Sequence, residues 1–578
     1  MAQTRKRLRA AALAIILVAV VAAILAPSAA LSTGYLALLA LFSTARMSLA
    51  FILSLVFAIA YGTAAATNKR AGEILIPVLD ILQSVPILAF FPPALFFFVN
   101  SFNGSDLGVE FAVIFLIFTS MSWNMAFGVY EALTTLPADL KEAASVFGVR
   151  DWLRFRRLFF PATIPKLVYN SMLSWTVGWF YLVASEAITT GGLSRERPGL
   201  GSFIYDAGQR GDVASIVIGI GVLAVVVLLL DTFLWRPLSV WSERFRMEQT
   251  AGGRVGGEGA VRPGVTYEWW RWLPRFPGIR RWLGARLAPL AHGWNRAATP
   301  LDRYYVSHPR VIRTVRWVDV GMFLVILVSV VVTGVVGIMA ILSSPMPALA
   351  GEIPAAIAAS LGRLALAYAA ALAWTIPMAS WVVHSARASR IVTPVLEVVA
   401  SIPATALFPL IIAFSVLVVG AFGLEAELAA FLVAVFAMQW YLLFNVIAGM
   451  RSIPGDMREA ARVFGLRGWT YWKRVLLPGI TPSLLTGSIT AWGAGWNALI
   501  VAEYISFAGH VYGVSAGIGY LIAYATYTPV LSPDQGAELA RLLFLSVIAL
   551  VLVVLAMNKL LWRPIIKRAS TRFRIEIQ

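Results

Sequence analysis

The chain has 578 residues, of which 59% are hydrophobic and 13% charged, and its mean hydropathy is +0.79. Soluble domains are about 45–50% apolar and about 25% charged, so a soluble enzyme, a disordered chain and a fibrous protein are excluded and a polytopic membrane protein remains. Of the net charge of +18, more than half lies between Arg236 and Arg316, where 15 arginines face five acids; lysine and arginine concentrated between apolar segments fit the positive-inside rule and anionic lipid, not nucleic acid.

Taken in order, twelve apolar segments can be placed. The first half carries them near 10–31, 44–66, 74–99, 109–130, 168–190 and 214–235; the second near 317–342, 355–384, 391–420, 427–450, 484–507 and 540–562. Each is long enough to cross a bilayer at about 20 residues per span. Residues 1–30 also resemble a secretory signal, with a basic start and small residues near Ala26–Ala30. The apolar run exceeds a usual signal core, and keeping it gives both halves six spans. Lys/Arg-rich connections follow spans 2, 4 and 6 of each half, whereas 31–43, 100–108 and 421–426 contain neither residue. Both termini are therefore expected in the cytoplasm. Between the halves, 241–316 interrupts the apolar pattern with Trp269-Trp270-Arg271-Trp272 and Arg280-Arg281-Trp282. Interleaved Trp and Arg suit an interfacial helix on lipid. The expected division is a first repeat at 1–240, a cytoplasmic-face linker at 241–316, and a second repeat at 317–578.

Self-comparison reveals a duplication. Adding 317 carries Arg46 to Arg363, Pro77-Val-Leu-Asp80 to Pro394-Val-Leu-Glu397, Pro86 to Pro403, Trp123 to Trp440, Trp179 to Trp496 and Glu186 to Glu503. Beyond small gaps, Gly199-Leu-Gly201 meets Gly517-Ile-Gly519, and Trp235-Arg236-Pro237 meets Trp562-Arg563-Pro564. An even number of spans gives the two copies the same orientation, related by a pseudo-twofold axis along the membrane normal.

The closest self-match is a connection, not a span. Residues 137–165 and 454–482 agree at 13 of 29 positions, which marks the loop as functional. Thr135 and Ser452 are expected to cap a short helix, with Pro137 and Pro454 at its first turn. Asp139, Glu142, Asp456 and Glu459 suit the positive helix end. Gly148 and Gly465 are expected to end it in the left-handed conformation.

Glu142-Ala143-Ala144-x-x-x-Gly148 and Glu459-Ala460-Ala461-x-x-x-Gly465, each followed by Leu/Phe-Pro, resemble the EAA loop of permease subunits of bacterial ABC importers. Ser401-Ile402-Pro403-x-x-Ala406-Leu407-Phe408-Pro409 and Ala502-Glu503-x-x-Ser506 with Gly517-Ile-Gly519 are similar to the nitrate/sulfonate/taurine/bicarbonate branch, here in a duplicated, single-chain form. The resemblance implies an all-α, MetI-like type I permease fold made of two tandem parallel repeats. It implies a multi-pass protein of a bacterial or archaeal inner membrane that imports a small solute, most simply an anion, by alternating access. It also implies that Pro137, Asp139, Glu142, Ala143, Gly148 and Arg150, with Pro454, Asp456, Glu459, Ala460, Gly465 and Arg467, couple the pore to two separate ABC ATPase subunits, and that an extracytoplasmic binding protein delivers the solute. ATP and Mg would sit on those ATPases. This chain has no GxxxxGK[ST] phosphate loop, no cysteine and four scattered histidines, so neither catalysis, a cofactor nor a metal site is expected in it.

Spans 3 and 5 of each half are expected to line the pathway. Gln83, Ser84, Pro86, Trp179, Ser401, Pro403 and Trp496 are the candidate pore residues, because proline-broken backbone inside a membrane is tolerated against protein or a cavity. Counting at about 1.5 Å per residue from the cytoplasmic ends places Arg46 and Glu186 at similar heights near the outer surface. A charge in a span is costly unless paired or hydrated, so Arg46 is expected to pair with Glu186, and Arg363 with Glu503. The competing reading is a 6+6 secondary transporter, which would concentrate its repeat similarity and charges at the midplane.

Overall fold

A computed structural model describes residues 33–147, 149, 151–193, 197–245, 346–530 and 532–572, with positions 339 and 343. The expected first span, the seventh span apart from residue 339, the linker from 246 onward, and the coupling residues Gly148 and Arg150 lie outside the described residues. The first half comprises α1 (Thr33–Thr67), α2 (Lys69–Ser84), α3 (Phe91–Ser101), α4 (Asp106–Thr134), α5 (Ala138–Val146), α6 (Phe160–Leu193), α7 (Leu200–Gln209), α8 (Val213–Leu230) and α9 (Arg236–Ser242). The second repeats this order: α10 (Ile353–His384), α11 (Ala386–Ala400), α12 (Phe408–Val419), α13 (Glu425–Ser452), α14 (Gly455–Val463), α15 (Leu477–Ala502), then a hairpin of β1 (Tyr504–Phe507) and β2 (His510–Gly513), α16 (Ile518–Tyr527), α17 (Pro533–Met557) and α18 (Arg563–Arg572). Among the described residues eight helices are long and apolar enough to cross a membrane; α6 is not among them, although it runs for 34 residues.

In each half three long helices pack together, α1 with α4 and α4 with α6, then α10 with α13 and α13 with α15. Glycine sets their approach. A Cβ on Gly178 of α6 would collide with Met47 of α1 and Met121 of α4, and one on the equivalent Gly495 would meet Leu364 of α10 at 2.5 Å and Met438 of α13 at 2.8 Å. Small residues at crossings let backbones approach closely where no water drives association. A second crossing has exchanged its partners. Gly128 on α4 receives the side chain of Asn170 from α6, whereas Asn445 on α13 fills the space left by Gly487 on α15. The positions correspond by the 317 offset, so each half keeps one asparagine and one glycine at the contact and has swapped which helix carries which.

Spans 3 and 9 are not the single helices that their hydropathy suggests. Each breaks at a proline into α2 or α11, a 3₁₀ turn (Ile87–Phe90 or Ala404–Leu407), then α3 or α12. Pro86 and Pro403 cap these turns in extended conformation. Proline supplies no N–H and drives the preceding residue out of the helical region, and Val85 is extended accordingly. The expected eleventh span also ends early. Residues 504–507 form a strand paired antiparallel with 510–513, closed by Ala508 and Gly509 at φ +51° and +75°, a two-residue hairpin turn with both central residues left-handed.

Candidate functional site

The four charges expected to pair stand in two equivalent clusters. Glu186, fully buried on α6, accepts from Arg46 Nη1 at 2.8 Å, from the Ser43 hydroxyl at 2.9 Å and from the Gly201 N–H at 2.8 Å. Arg46 is itself bracketed. Its Nε and Nη2 donate to Glu110 at 2.7 and 2.8 Å, and Nη1 also donates to the Pro198 carbonyl at 2.9 Å. In the second copy Glu503 accepts from Arg363 Nη1 at 2.8 Å, from Ser360 at 2.5 Å and from the Gly519 N–H at 2.7 Å. Arg363 also holds Glu427 at 2.5 and 3.0 Å and donates to the Ala516 carbonyl. Each arginine thus pairs with a buried carboxylate and a partly exposed one, and four of its five N–H donors are engaged.

The serines and the second carboxylates were missed from the sequence, although the repeat itself marked them. Ser43 and Ser360, like Glu110 and Glu427, are related by the same offset of 317. The paired glycines find their reason here too. A Cβ on Gly199 or Gly517 would strike the Glu186 or Glu503 carboxylate, so the loop entering α7 or α16 can lie against the acid only as glycine. The Leu200 and Ile518 N–H groups then donate to Ser43 and Ser360. One cluster therefore ties α1, α4 and α6 to the start of α7; the other ties α10, α13 and α15 to the start of α16.

The halves meet through the broken spans. The Leu88 N–H, in the first 3₁₀ turn, donates to Asn497 Oδ1 on α15 at 3.3 Å; reciprocally, Thr405 in the second turn donates to the Phe180 carbonyl on α6 at 3.0 Å. Two more self-matching residues meet crosswise. Arg563 of α18 donates to Asp80 of α2. Their counterparts Arg236 and Glu397 are electrostatic neighbours, but Arg236 is held by Asp231 at 3.0 Å, where the second half has Asn558. Glu397 is buried on α11, and one of its oxygens finds no donor among the described residues.

Of the pore candidates, Pro86 and Pro403 shape this seam. Trp179 and Trp496 are 1% and 2% exposed within the packed core, so they could meet a solute only if helices moved apart. Gln83 is exposed and donates to Asp80 at 3.2 Å; Ser401 is half-buried on the following turn. For Ser84 only the backbone, at the end of α2, is described.

The EAA-type segments α5 and α14 stand out from the bundle. Asp139, Glu142, Ala143, Asp456, Glu459, Ala460 and Arg467 are exposed. Val146 and Phe147 are each 82% exposed at the end of α5, and Val463 and Phe464 are 80% and 79% exposed at the end of α14. Gly465 has φ +67°, and the Leu466 N–H reaches back to the Ala461 carbonyl as Val149 reaches Ala144, the backbone pattern of a left-handed helix stop. The expected caps are corrected. Thr135 and Ser452 turn their hydroxyls back onto carbonyls of α4 and α13 (Glu131 and Gly449), because both residues still belong to the ends of those helices. Pro137 and Pro454 take the cap position themselves and leave the first amides without a side-chain cap.

Two copies of one helical unit, each crossing the membrane several times and each presenting an exposed short helix, define a tandem-repeat membrane permease. The model of the binding-protein-dependent transport system inner membrane component family matches residues 54–235 and again 371–564, and the chain belongs to that family. Among curated proteins it is similar to the bicarbonate transport system permease protein CmpB of Synechococcus elongatus, 25% identical over 203 residues, which are 35% of this chain and 66% of the relative. It is similar to the nitrate import permease protein NrtB of Synechocystis, 26% identical over 33% of this chain and 65% of the relative. The putative aliphatic sulfonates transport permease protein SsuC of Escherichia coli is 34% identical over 23% of this chain and 44% of its own length. In each case the chain covers less than two thirds of the relative.

Proposed function

We propose that this chain forms the whole translocation pathway of an ATP-driven importer, with residues 1–240 and 317–578 as its two transmembrane repeats and 241–316 lying on the cytoplasmic face between them. The observation that carries the reading is the twice-repeated exposed helix, α5 and α14, each ending in an apolar pair. Valine and phenylalanine about four-fifths exposed are costly in water and mark a protein-docking surface. Each helix would seat in one ATPase subunit, giving two ATPases per chain. ATP and Mg belong to those subunits, and solute would arrive from an extracytoplasmic binding protein. The bicarbonate, nitrate and sulfonate permeases among the relatives favour a small oxyanion or an organic anion as cargo.

Mechanically, closure of the ATPases would displace α5 and α14. The π-helical turns Phe155–Phe159 and Trp472–Leu476 run directly into α6 and α15, so the push would pass along these two helices to the seam formed by Leu88, Asn497, Thr405 and Phe180. Alternating access is then a rocking of the halves about the pseudo-twofold axis, with both termini in the cytoplasm. Proteoliposomes carrying the chain with its ATPases and binding protein test this. Solute uptake should require internal or external ATP according to ATPase orientation and should ignore an imposed ion gradient. Gradient-driven uptake without ATP would instead establish the secondary-transporter reading.

A further inference from the structure

The two halves are not equivalent beyond the ion clusters. After Glu503 the second half forms the β1–β2 hairpin and then α16, and between them lies a cavity of about 450 Å³ walled by Tyr504, Val511, Tyr520, Tyr524, Tyr527 and Thr528. This volume is in the range of small-molecule sites. The rings form one connected array. Tyr504 lies 5.6 Å from Tyr527 and 6.2 Å from Tyr520, and Tyr520 lies 6.4 Å from Tyr524, with interplanar angles of 30°, 47° and 28°. The first-half sequence does not repeat these tyrosines. Counting by the repeat, Tyr504, Tyr520, Tyr524 and Tyr527 stand where the first half has Ala187, Ser202, Asp206 and Gln209. Tyrosines needed only to build the repeat would be expected in both copies.

The array also sits where the halves join. The hairpin tip is fastened to the first half by the Ala508 N–H, which donates to the Gly208 carbonyl at 2.9 Å, and by Ser506, which donates to Gln209 at 3.0 Å. Helix α15 runs 26 residues from the coupling side to Glu503, about 39 Å at 1.5 Å per residue. The cavity therefore lies at the end of the bundle remote from α5 and α14.

We propose that this cavity is a solute-binding site, one per chain, for a planar aromatic solute bearing a hydrogen-bond acceptor, as in an aromatic sulfonate or carboxylate. No charged side chain is among its lining residues, so recognition rests on ring contacts and neutral hydrogen bonds, which reward a flat ring whose acceptor group stays near solvent over a small hard anion that must shed its hydration entirely. Ring faces tilted by 28–47° to one another offer aromatic surface against which a flat ring can stack. Phenolic hydroxyls can donate to the acceptor end. The assignment of this solute as cargo rests on the importer reading; the binding itself does not.

The test is titration of the purified full chain in lipid nanodiscs with benzenesulfonate, with methanesulfonate, nitrate and tetramethylammonium as comparators, followed by calorimetry. Benzenesulfonate should saturate at one per chain and bind at least tenfold more tightly than each comparator. Tyr520→Ala should weaken it about tenfold. Tyr520→Phe, which keeps the ring, should change it less than threefold and guards against a variant that fails to fold. Tyr471→Ala, on the coupling side, should have no effect. Absence of saturable benzenesulfonate binding, equal or tighter binding of any comparator, or affinity unchanged by Tyr520→Ala in a folded chain would overturn the proposal. ATP-driven nitrate uptake without benzenesulfonate binding removes the pocket and leaves the importer; benzenesulfonate binding by a chain that shows no ATP-dependent transport does the reverse.

Discussion

Replacing Glu186 by alanine separates the buried from the exposed arm of the first ion cluster. Glu186 is fully buried and accepts from Arg46, Ser43 and the Gly201 N–H. Breaking a buried pair from one side typically costs about 3–5 kcal/mol, because the partner charge stays behind. Here Arg46 keeps two bonds to Glu110 and one to the Pro198 carbonyl, so the low end applies, about 3 kcal/mol. Glu110 is 26% exposed, and its loss leaves Arg46 paired with Glu186; water discounts that change to about 1 kcal/mol. Over a repeat of this size, about 3 kcal/mol lowers the midpoint of thermal unfolding by roughly 6–12 °C. The assay is the thermal midpoint of the purified chain in detergent for Glu186→Ala, Glu110→Ala, Arg46→Ala and the Arg46/Glu186 double variant. A coupling of about 2 kcal/mol between Arg46 and Glu186 is expected. Glu503, Glu427 and Arg363 provide an internal replicate and should give the same order. The reasoning is refuted if Glu110→Ala costs more than Glu186→Ala, or if Arg46 and Glu186 prove additive.

Gly465→Val should preserve the membrane fold yet uncouple ATP hydrolysis from transport, since a β-branched residue at φ +67° costs at least about 1–2 kcal/mol at the helix stop; Gly455→Ala, with open space around it, should be silent in the same assay. Phe147→Ser combined with Phe464→Ser should release the ATPases in pull-downs while moving the thermal midpoint by under about 2 °C, as expected of exposed sites; retained ATPases would remove α5 and α14 as the docking surface.

Composition, hydropathy and the 317-residue offset determined much of this protein by themselves. They placed it in a membrane, divided it into two parallel repeats, singled out the EAA-type segments and marked Arg46, Glu186, Arg363 and Glu503. Those inferences work because a charge inside an apolar run carries its cost in the sequence, and a duplicated chain reports each important position twice. Hydropathy averages over a window, however, and registers burial without geometry. It could not show that Pro86 and Pro403 divide their spans, nor that residues 504–513 turn from helix to hairpin, because tyrosine, isoleucine, phenylalanine and valine read as apolar in either form.

Only the tertiary structure decided what meets what. Glu110 and Glu427 complete their clusters across 64 residues of chain, Asp80 reaches an arginine 483 residues away, and the exchanged asparagine and glycine of α4/α6 and α13/α15 have meaning only as touching pairs. The tyrosine cavity arises in the same way. Its rings come from a strand and a helix that the turn at Ala508–Gly509 brings together, at a seam anchored by the first half. Side-chain periodicity fixes which face of an element is buried; the neighbour that covers the face is chosen by shape and hydrogen bonding between segments far apart in the chain.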